Sequence, residues 1–291
     1  MARGIDHIVW AVRDIAATGD FLERAGFTLT PLARHPWGTV NRLVQFDGAF
    51  LEVLSIGDIG GIVEPKPGVF SFGAFNRDFL AKREGASMLV LESRDPQLDG
   101  EAFEKARLAT YEPFSFERIA TGPDGSERKV AFDLTFTRDA AAPSIGYFTC
   151  FHRFPENFWK PEFQQHENGA IGIDAAVFVM NEPADHHIFF SAFSGIREMR
   201  ATTFGLSIRT PRGAIEILTP AGYRSLYGHD AAVGADEVPL LAAARLRVKD
   251  LGKTTDFLTR AGISFHEALE GIVVPAKDCF GFSLAFSQGR D

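Results

Sequence analysis

Glu52 stands in an apolar run, Phe50-Leu51-Glu52-Val53-Leu54. Side chains alternate along a strand, so its carboxylate shares a face with Phe50 and Leu54. An ionised carboxyl group among apolar side chains is costly unless it is paired or bound to a metal. Glu52 is therefore a candidate metal ligand, with a buried ion pair to Arg42 as the alternative. Glu216, in Gly213-Ala214-Ile215-Glu216-Ile217-Leu218, poses the same question. A salt bridge, for instance to Arg200 or Arg209, is its expected fate. His7 lies in an opening strand, and by position alone reads as a histidine satisfied by a backbone carbonyl. His152 ends a strand and begins the loop His152-Arg153-Phe154-Pro155-Glu156. It reads as a ligand, a substrate-facing base or a surface residue. His166 sits in a polar loop and is either solvated or turned toward a pocket. His35, Trp37, Asn41 and Arg42 flank a third strand. They form either a turn with Trp37 as a lid over the core, or a substrate-binding set in which Asn41 or Arg42 holds a polar or anionic group. His186 and His187 point about 100° apart on a helix and cannot share one ion. Cys150, in an apolar strand, reads as inert core rather than nucleophile.

The elements that must position these residues repeat. Val12 to Gly26 (VRDIAATGDFLERAG) aligns without a gap with Val248 to Gly262 (VKDLGKTTDFLTRAG), with nine identities in fifteen. Each copy follows an apolar stretch and precedes another, which is a strand–helix–strand pattern. Asp14 and Asp250 fall at helix N-caps, and Gly26 and Gly262 at C-caps. Fainter echoes lie between: Gly172-Ile173-Asp174-Ala175 resembles Gly4-Ile5-Asp6-His7, and Gly213 to Leu218 resembles Gly48 to Leu54. Four βαβββ units are expected, at roughly 4–56, 87–152, 170–220 and 241–288. Strands are expected over Arg200 to Arg209 and Gly213 to Thr219, and Pro183 opens a helix running to about Gly195. Gly57 to Gly85 and Phe151 to Gly169 read as long connections, the first as a turn-rich surface loop.

Composition bounds the rest. The chain has 291 residues, is 45% hydrophobic and 23% charged, and carries a net charge of −8. That balance suits a globular protein and speaks against a general nucleic-acid binder, while leaving room for a local basic pocket. No apolar run approaches the ~20 residues of a membrane helix. The start has an acid within its first residues and no apolar core, which does not read as a signal peptide. Two widely spaced cysteines make neither a disulfide framework nor a zinc-finger pattern, so a cytoplasmic setting is expected. Phe is unusually abundant at 28 residues, against 4 Tyr and 3 Trp. Sheet cores are the first explanation and an apolar substrate cavity the second. Gly57 to Gly85 holds no Gly-Lys-Ser/Thr sequence, and the chain holds no G-x-G-x-x-G, G-x-S-x-G or H-E-x-x-H, so phosphate-loop, dinucleotide, nucleophile-elbow and zincin chemistries are unsupported.

Four βαβββ units, with His7 in the first strand and Glu52 in the fourth, resemble the vicinal oxygen chelate superfamily, which includes glyoxalase, bleomycin-binding proteins and extradiol dioxygenases. Gly4 to His7, Arg34 to Arg42, Phe50 to Glu52 and His152 to Trp159 resemble the glyoxalase-like domain proteins of bacteria. The resemblance implies an α+β fold of two paired half-barrels. It divides the chain into an active pair of units (1–152), a connecting loop (153–169) and a structural pair (170–291). It also implies ligand slots on the first and fourth strand of each unit. Unit one offers His7 and Glu52. Unit two offers Met88, then Cys150 or, two residues on, His152. Units three and four offer Ala175, Glu216, Ala243 and Leu284. One divalent metal ion on His7, Glu52 and His152 is thus expected, its identity open among zinc, nickel, manganese and iron. His35, Trp37, Asn41, Arg42 and His166 are the expected substrate-binding residues. The implied activity is a metal-dependent lyase or isomerase acting on a small oxygenated molecule, with Glu52 as the proton-transferring group. A metal-free small-molecule binding protein and an iron-dependent dioxygenase are the alternatives. The expected partners are a small-molecule substrate, no nucleic acid and no membrane, in a monomer or homodimer.

Overall fold

The computed structural model describes residues 1–121, 125–231 and 238–289. Four βαβββ units follow one another. The first is β1 (Ile5–Ala11), α1 (Ile15–Arg24), β2 (Ala33–Arg34), β3 (Thr39–Gln45) and β4 (Phe50–Ile56), and α2 (Phe72–Lys82) follows it. The second is β5 (Gly85–Glu92), α3 (Pro96–Lys105), β6 (Phe114–Thr121), β7 (Glu127–Thr137) and β8 (Gly146–His152), followed by the short α4 (Pro155–Phe158). The third is β9 (Ala170–Val179), α5 (His187–Ser194), β10 (Arg200–Thr202), β11 (Gly205–Arg209) and β12 (Ala214–Leu218), with α6 (Pro220–Tyr227) after it. The fourth is β13 (Leu240–Val248), α7 (Leu251–Arg260), β14 (His266–Ala268), β15 (Gly271–Val274) and β16 (Ser283–Gln288).

The repeated sequence folds as its caps demand. Asp14 accepts the amide protons of Ala16 and Ala17 at the start of α1, and Asp250 accepts that of Lys253 at the start of α7. Each carboxylate satisfies amides that have no partner within the helix. Gly26 and Gly262 take positive φ just beyond the helix ends, where a side chain would be strained. One local expectation is corrected. The stretch Gly57 to Gly85 is not all loop: Ser71 caps the Ala74 amide and starts α2, whose Phe72, Phe79 and Leu80 are buried. Thr219 likewise starts α6 by accepting the Gly222 amide. In both, glycines and prolines nearby masked a helix that needs only one capped turn and a buried stripe. The segment Arg200 to Arg209 holds two strands, β10 and β11, paired as a hairpin.

In each half, the first strands of two units lie antiparallel at the centre, and each is flanked by its own fourth strand in parallel. β1 sits between β4 and β5, and β5 pairs β8; β9 sits between β12 and β13, and β13 pairs β16. The halves join through one backbone pair, Leu241 with Ala86, giving a sixteen-stranded mixed sheet that does not close. The largest apolar cluster lies on one face of this sheet, with Trp10, Phe103, Phe178, Phe190 and Phe286 among its buried residues. The other face of each half carries its own cluster, around Phe132, Phe136 and Phe148 in the first and Tyr223 and Tyr227 in the second. Among the described residues, no helix is long and apolar enough to cross a membrane.

The interior of the second half is filled by an ion-pair network. Glu216 meets neither Arg200 nor Arg209. Arg245 of β13 donates to its Oε1 at 2.6 Å and its Oε2 at 3.0 Å, and to Asp174 Oδ2 at 2.7 Å. Strand parity explains the partner: Arg245 opposes Ala175 across the β9–β13 ladder, next to the Val177 that opposes Glu216. The unit-four counterpart of Glu52 is Ala285 by register, one residue beyond Leu284, which faces the other apolar cluster. Removing Arg245 would strand a largely buried carboxylate. Arg245→Met is expected to cost about 3 kcal/mol of unfolding free energy, with ligand binding in the first half unchanged. Chemical denaturation and a binding titration check both parts, and a stability loss below about 1 kcal/mol would show the network to be dispensable.

Candidate active site

The concave face of the first half carries a partly open hollow of about 470 Å³, counting the solvent space at its mouth, walled by His7, Glu52, Asn41 and Cys150 together with Phe50, Phe72, Phe116, Phe132, Phe148 and Phe158. Part of the phenylalanine surplus therefore lines a cavity rather than a closed core. Side chains reach it from β1, β3, β4, β6, β7 and β8, and from the two helices α2 and α4.

His7 and Glu52 both face this space because the parallel β1–β4 register pairs His7 with Phe50 and Val9 with Glu52. The His7 ring lies flat on Phe50, with centroids 4.2 Å apart. Its Nε2 stands 3.7 Å from Glu52 Oε2, too far for a hydrogen bond and close enough for both to touch one atom of a ligand. Its Nδ1 lies 2.6 Å from Asp6 Oδ1. An ionised carboxylate only accepts, so Nδ1 carries a proton, and the other ring nitrogen, Nε2, faces the cavity.

Asp6 is the residue strand alternation misplaces. As the neighbour of His7 it belongs on the opposite face. The β1–β5 ladder, however, passes from Ile5–Leu91 to His7–Val90, so Asp6 is an extra residue in a bulge. The bulge turns its carboxylate to the His7 side, where Oδ2 also takes the Nε2 proton of His152 at 3.0 Å. Burial alone would raise the Asp6 pKa; the charges and hydrogen bonds of His152 and His7 outweigh it and hold the carboxyl well below the usual range. His152 ends β8 and stacks on Trp159, and its Nδ1 is buried without a partner.

Glu52 is held differently. Asn41 Nδ2 donates to its Oε1 at 2.6 Å and reaches toward His35 Nε2 at 3.4 Å. Burial pushes the Glu52 carboxyl above its ordinary pKa, against the opposing pull of His7, Asn41 and Arg118. His35 donates from Nδ1 to Thr39 Oγ1 at 2.8 Å, and burial together with the nearby Arg118 lowers its pKa to about 3, so the ring is neutral. Trp37 stacks on His35 at 4.7 Å. Its Nε1, like Asn41 Oδ1, is buried without a hydrogen-bond partner.

The structure brings His7, Glu52, His35, Trp37 and Asn41 to one cavity. Arg42 and His166 lie elsewhere. Arg42 alternates with Asn41 along β3 and turns outward, bonding the Thr30 carbonyl at 3.1 Å and Glu23 at 2.7 Å. It is therefore not the counter-ion of Glu52. His166 is a strut: it donates to the Gln45 carbonyl at 2.8 Å and accepts the Thr28 amide at 3.1 Å. Arg118, Phe116 and Phe132 complete the wall, unmarked in the sequence except by the alternation Phe114-Ser115-Phe116-Glu117-Arg118, which puts Arg118 on the aromatic face of β6.

The donor set tests the expected metal centre. His7, Glu52 and His152 do not converge: Glu52 meets the Nε2 edge of His7, and His152 is joined to the Nδ1 edge through Asp6. The unit-two slot matching Glu52 is filled by Phe148, since Met88 pairs Gly146 as His7 pairs Phe50. Among the described residues, one group of three ligand-type side chains lies within 4.8 Å mutually: Asp6, Cys150 and His152. Side chains able to hold a metal do therefore gather, in a different combination. Both Asp6 oxygens there already accept imidazole protons, and burial with the charges of Asp6, Glu52 and Asp133 pushes the Cys150 thiol well up, away from the thiolate a metal needs. Two donors at the cavity fall short of the three protein ligands usual for a catalytic centre. The residues present do not fit the expected triad.

A family model described as a glyoxalase-like domain matches residues 5–192. No curated protein matches the chain. Among solved structures, a hypothetical protein from Staphylococcus aureus is similar along the whole length, covering 99% of this chain and 100% of its own at TM-score 0.69 and 11% identity. A fusion of a xylose isomerase-like TIM barrel with 4-hydroxyphenylpyruvate dioxygenase is similar over 91% of this chain and 40% of its own, at TM-score 0.54 and 16% identity. A mutant of 4-hydroxymandelate synthase from Streptomyces coelicolor covers 91% of this chain and 76% of its own, at TM-score 0.51 and 11% identity. At such identities these likenesses concern the fold alone, the paired βαβββ architecture. With the family model spanning well over half of its residues, the chain belongs to the glyoxalase-like domain family.

Proposed function

We propose that this protein is a lyase or isomerase that moves a proton on a small oxygen-bearing substrate with an apolar body, and that Glu52 is the group that takes and returns the proton. The observation that carries this reading is the state of Glu52: a buried carboxyl group on the wall of an aromatic cavity, its pKa raised by burial, one oxygen fixed by Asn41 and the other unbonded 3.7 Å from His7 Nε2. A carboxylate whose affinity for protons is raised toward the working pH is a better general base than an exposed one. In this reading residues 1–152 form the active half, and residues 170–291 brace it. The connection 153–169 adds Phe158 to the wall and Trp159 against His152.

The steps assign one task to each residue. The aromatic walls exclude water and hold the apolar body. Glu52 Oε2 removes a proton from carbon next to the substrate carbonyl. Negative charge then grows on the carbonyl oxygen, and the buried Trp37 N–H and the Arg118 guanidinium are the wall groups that can meet it. Asp6 holds the Nδ1–H of His7, so that Nε2 faces the reaction as an acceptor for a substrate hydroxyl. Return of the proton from Glu52 to a neighbouring carbon or oxygen completes an isomerisation, and loss of a leaving group completes a lyase reaction.

The test is deuterium wash-in from D2O at the carbon next to the carbonyl, followed by NMR across a panel of aryl-substituted 2-oxo acids, 2-hydroxy ketones and thiohemiacetals. Exchange above the spontaneous rate on at least one class is expected. If all remain at the spontaneous rate while one binds the cavity, the site is a sequestering pocket and the enzymatic reading fails.

A further inference from the structure

A second, larger hollow adjoins the aromatic cavity, shares Leu43, Arg118 and Phe158 with it, and has about 920 Å³ of empty volume. Its character is opposite. Arg34 from β2, Arg118 from β6, Arg128 from β7 and Lys160 from the loop after α4 line it, and among the described residues no carboxylate does. In a chain of net charge −8 this is a local reversal of sign. Several cations elsewhere are matched: Arg42 pairs Glu23, Arg77 pairs Glu64 and Asp78, Arg153 pairs Asp133, Arg212 pairs Glu92, and Arg245 pairs Glu216. Among the described residues, none of the four groove cations has an acidic side chain within ion-pair distance. Lys160 Nζ meets only the Glu156 carbonyl, at 3.3 Å, and Arg118 Nε is buried without a hydrogen-bond partner.

The sheet explains how they come together. Phe114, Phe116 and Arg118 alternate along the inward face of β6, opposite Leu134, Phe132 and Val130 of β7. Arg128 continues the same face of β7 past Val130. The inward stripe thus changes from aromatic to basic at one end of the hairpin, at the mouth of the cavity. Unpaired like charges held together at a mouth repel one another and are favourable only when an anion joins them.

We propose that the substrate is an amphipathic anion: its apolar end fills the aromatic cavity, and its carboxylate or phosphate group lies in the basic groove, with Arg118 at the junction. This inference rests on the reading of the first-half cavity as a substrate site and adds the chemical class of what enters it. The groove takes the oxyanion shared by carboxylic acids and phosphate esters, and the two sources separate by experiment.

Binding to the full chain is measured by calorimetry for three probes with one body: 4-phenylbutyrate, 4-phenylbutyl phosphate and 4-phenylbutan-1-ol. Both anions are expected to bind at least about tenfold tighter than the alcohol at about 20 mM salt, and to lose that advantage progressively toward about 300 mM. The double substitution Arg34→Ala with Arg128→Ala removes two exposed cations and is expected to weaken the anions about tenfold or more while leaving the alcohol unchanged. A phosphate preference assigns a phosphate ester, and equal or better carboxylate binding assigns a carboxylic acid. If the alcohol binds as tightly as the anions, or the double substitution leaves their ratio unchanged, the proposal is overturned. Anion selectivity without any deuterium exchange would sink the enzymatic reading alone. Exchange confined to neutral compounds would sink this one alone.

Discussion

Glu52→Gln is expected to lower deuterium exchange by about 10²- to 10⁴-fold, the range a positioned general base supplies, and to leave the protein at least as stable as before. The amide keeps the volume and can still accept from Asn41, so the cavity survives. What is lost is a site for the proton. The stability part follows from the sign of the shift. The folded pKa of Glu52 lies above its ordinary 4.5, so the folded chain binds this proton more tightly than the unfolded one. Stability from this group is present below the ordinary value and declines as pH rises through the folded one. Once the pH exceeds the folded value, the wild type carries an ionised carboxylate in an aromatic cavity and the variant does not. The variant should therefore melt at an equal or higher temperature at pH 8, and the gap should close below about pH 4.5. A variant that keeps its exchange rate would remove Glu52 from the chemistry. A variant destabilised at pH 8 would show that the carboxylate is a structural counter-charge for Arg118.

Asp6→Asn should have the largest effect on folding of any single polar change in the first half, a loss of about 3 kcal/mol. The carboxylate accepts from two imidazoles at once, 2.6 Å from His7 Nδ1 and 3.0 Å from His152 Nε2, with all three side chains buried or nearly so. An amide can accept from one and must turn an N–H toward the other, so a buried donor faces a donor. The folded pKa of Asp6 is depressed, so its contribution is complete above the unfolded value near 3.8 and is lost as pH falls through the lower folded one. The difference between wild type and variant, followed by denaturant titration, should be constant from pH 8 to about pH 5 and shrink only in stronger acid. Asp133→Asn is the contrast. It breaks a more exposed pair with Arg153 and should cost no more than about 1 kcal/mol. If Asp6→Asn costs as little, the His7–Asp6–His152 chain is not a structural unit, and the orientation it gives His7 falls with it.

Much of this was legible before any coordinates. The copies at 12–26 and 248–262 identified the repeating unit, because capping aspartates, terminal glycines and a buried Phe-Leu pair are local requirements of a helix laid on a sheet. Glu52 was marked by its apolar run, and His7 by its place in the opening strand. Local chemistry is what a sequence states directly: a cap, a period of two, a charge where none should be.

The tertiary structure decided what depends on register and on the opposite wall. A single bulged residue in β1 turned Asp6 to the face of His7, where two imidazoles, those of His7 and His152, share its carboxylate. Register placed Phe148 in the slot expected of Cys150, and alternation turned Arg42 away while bringing in Asn41. The basic groove depends on four residues spread from position 34 to position 160. No spacing along the chain announces such a grouping, because each cation comes from a different element and the sum of their charges exists only where the sheet curls and brings them to one mouth.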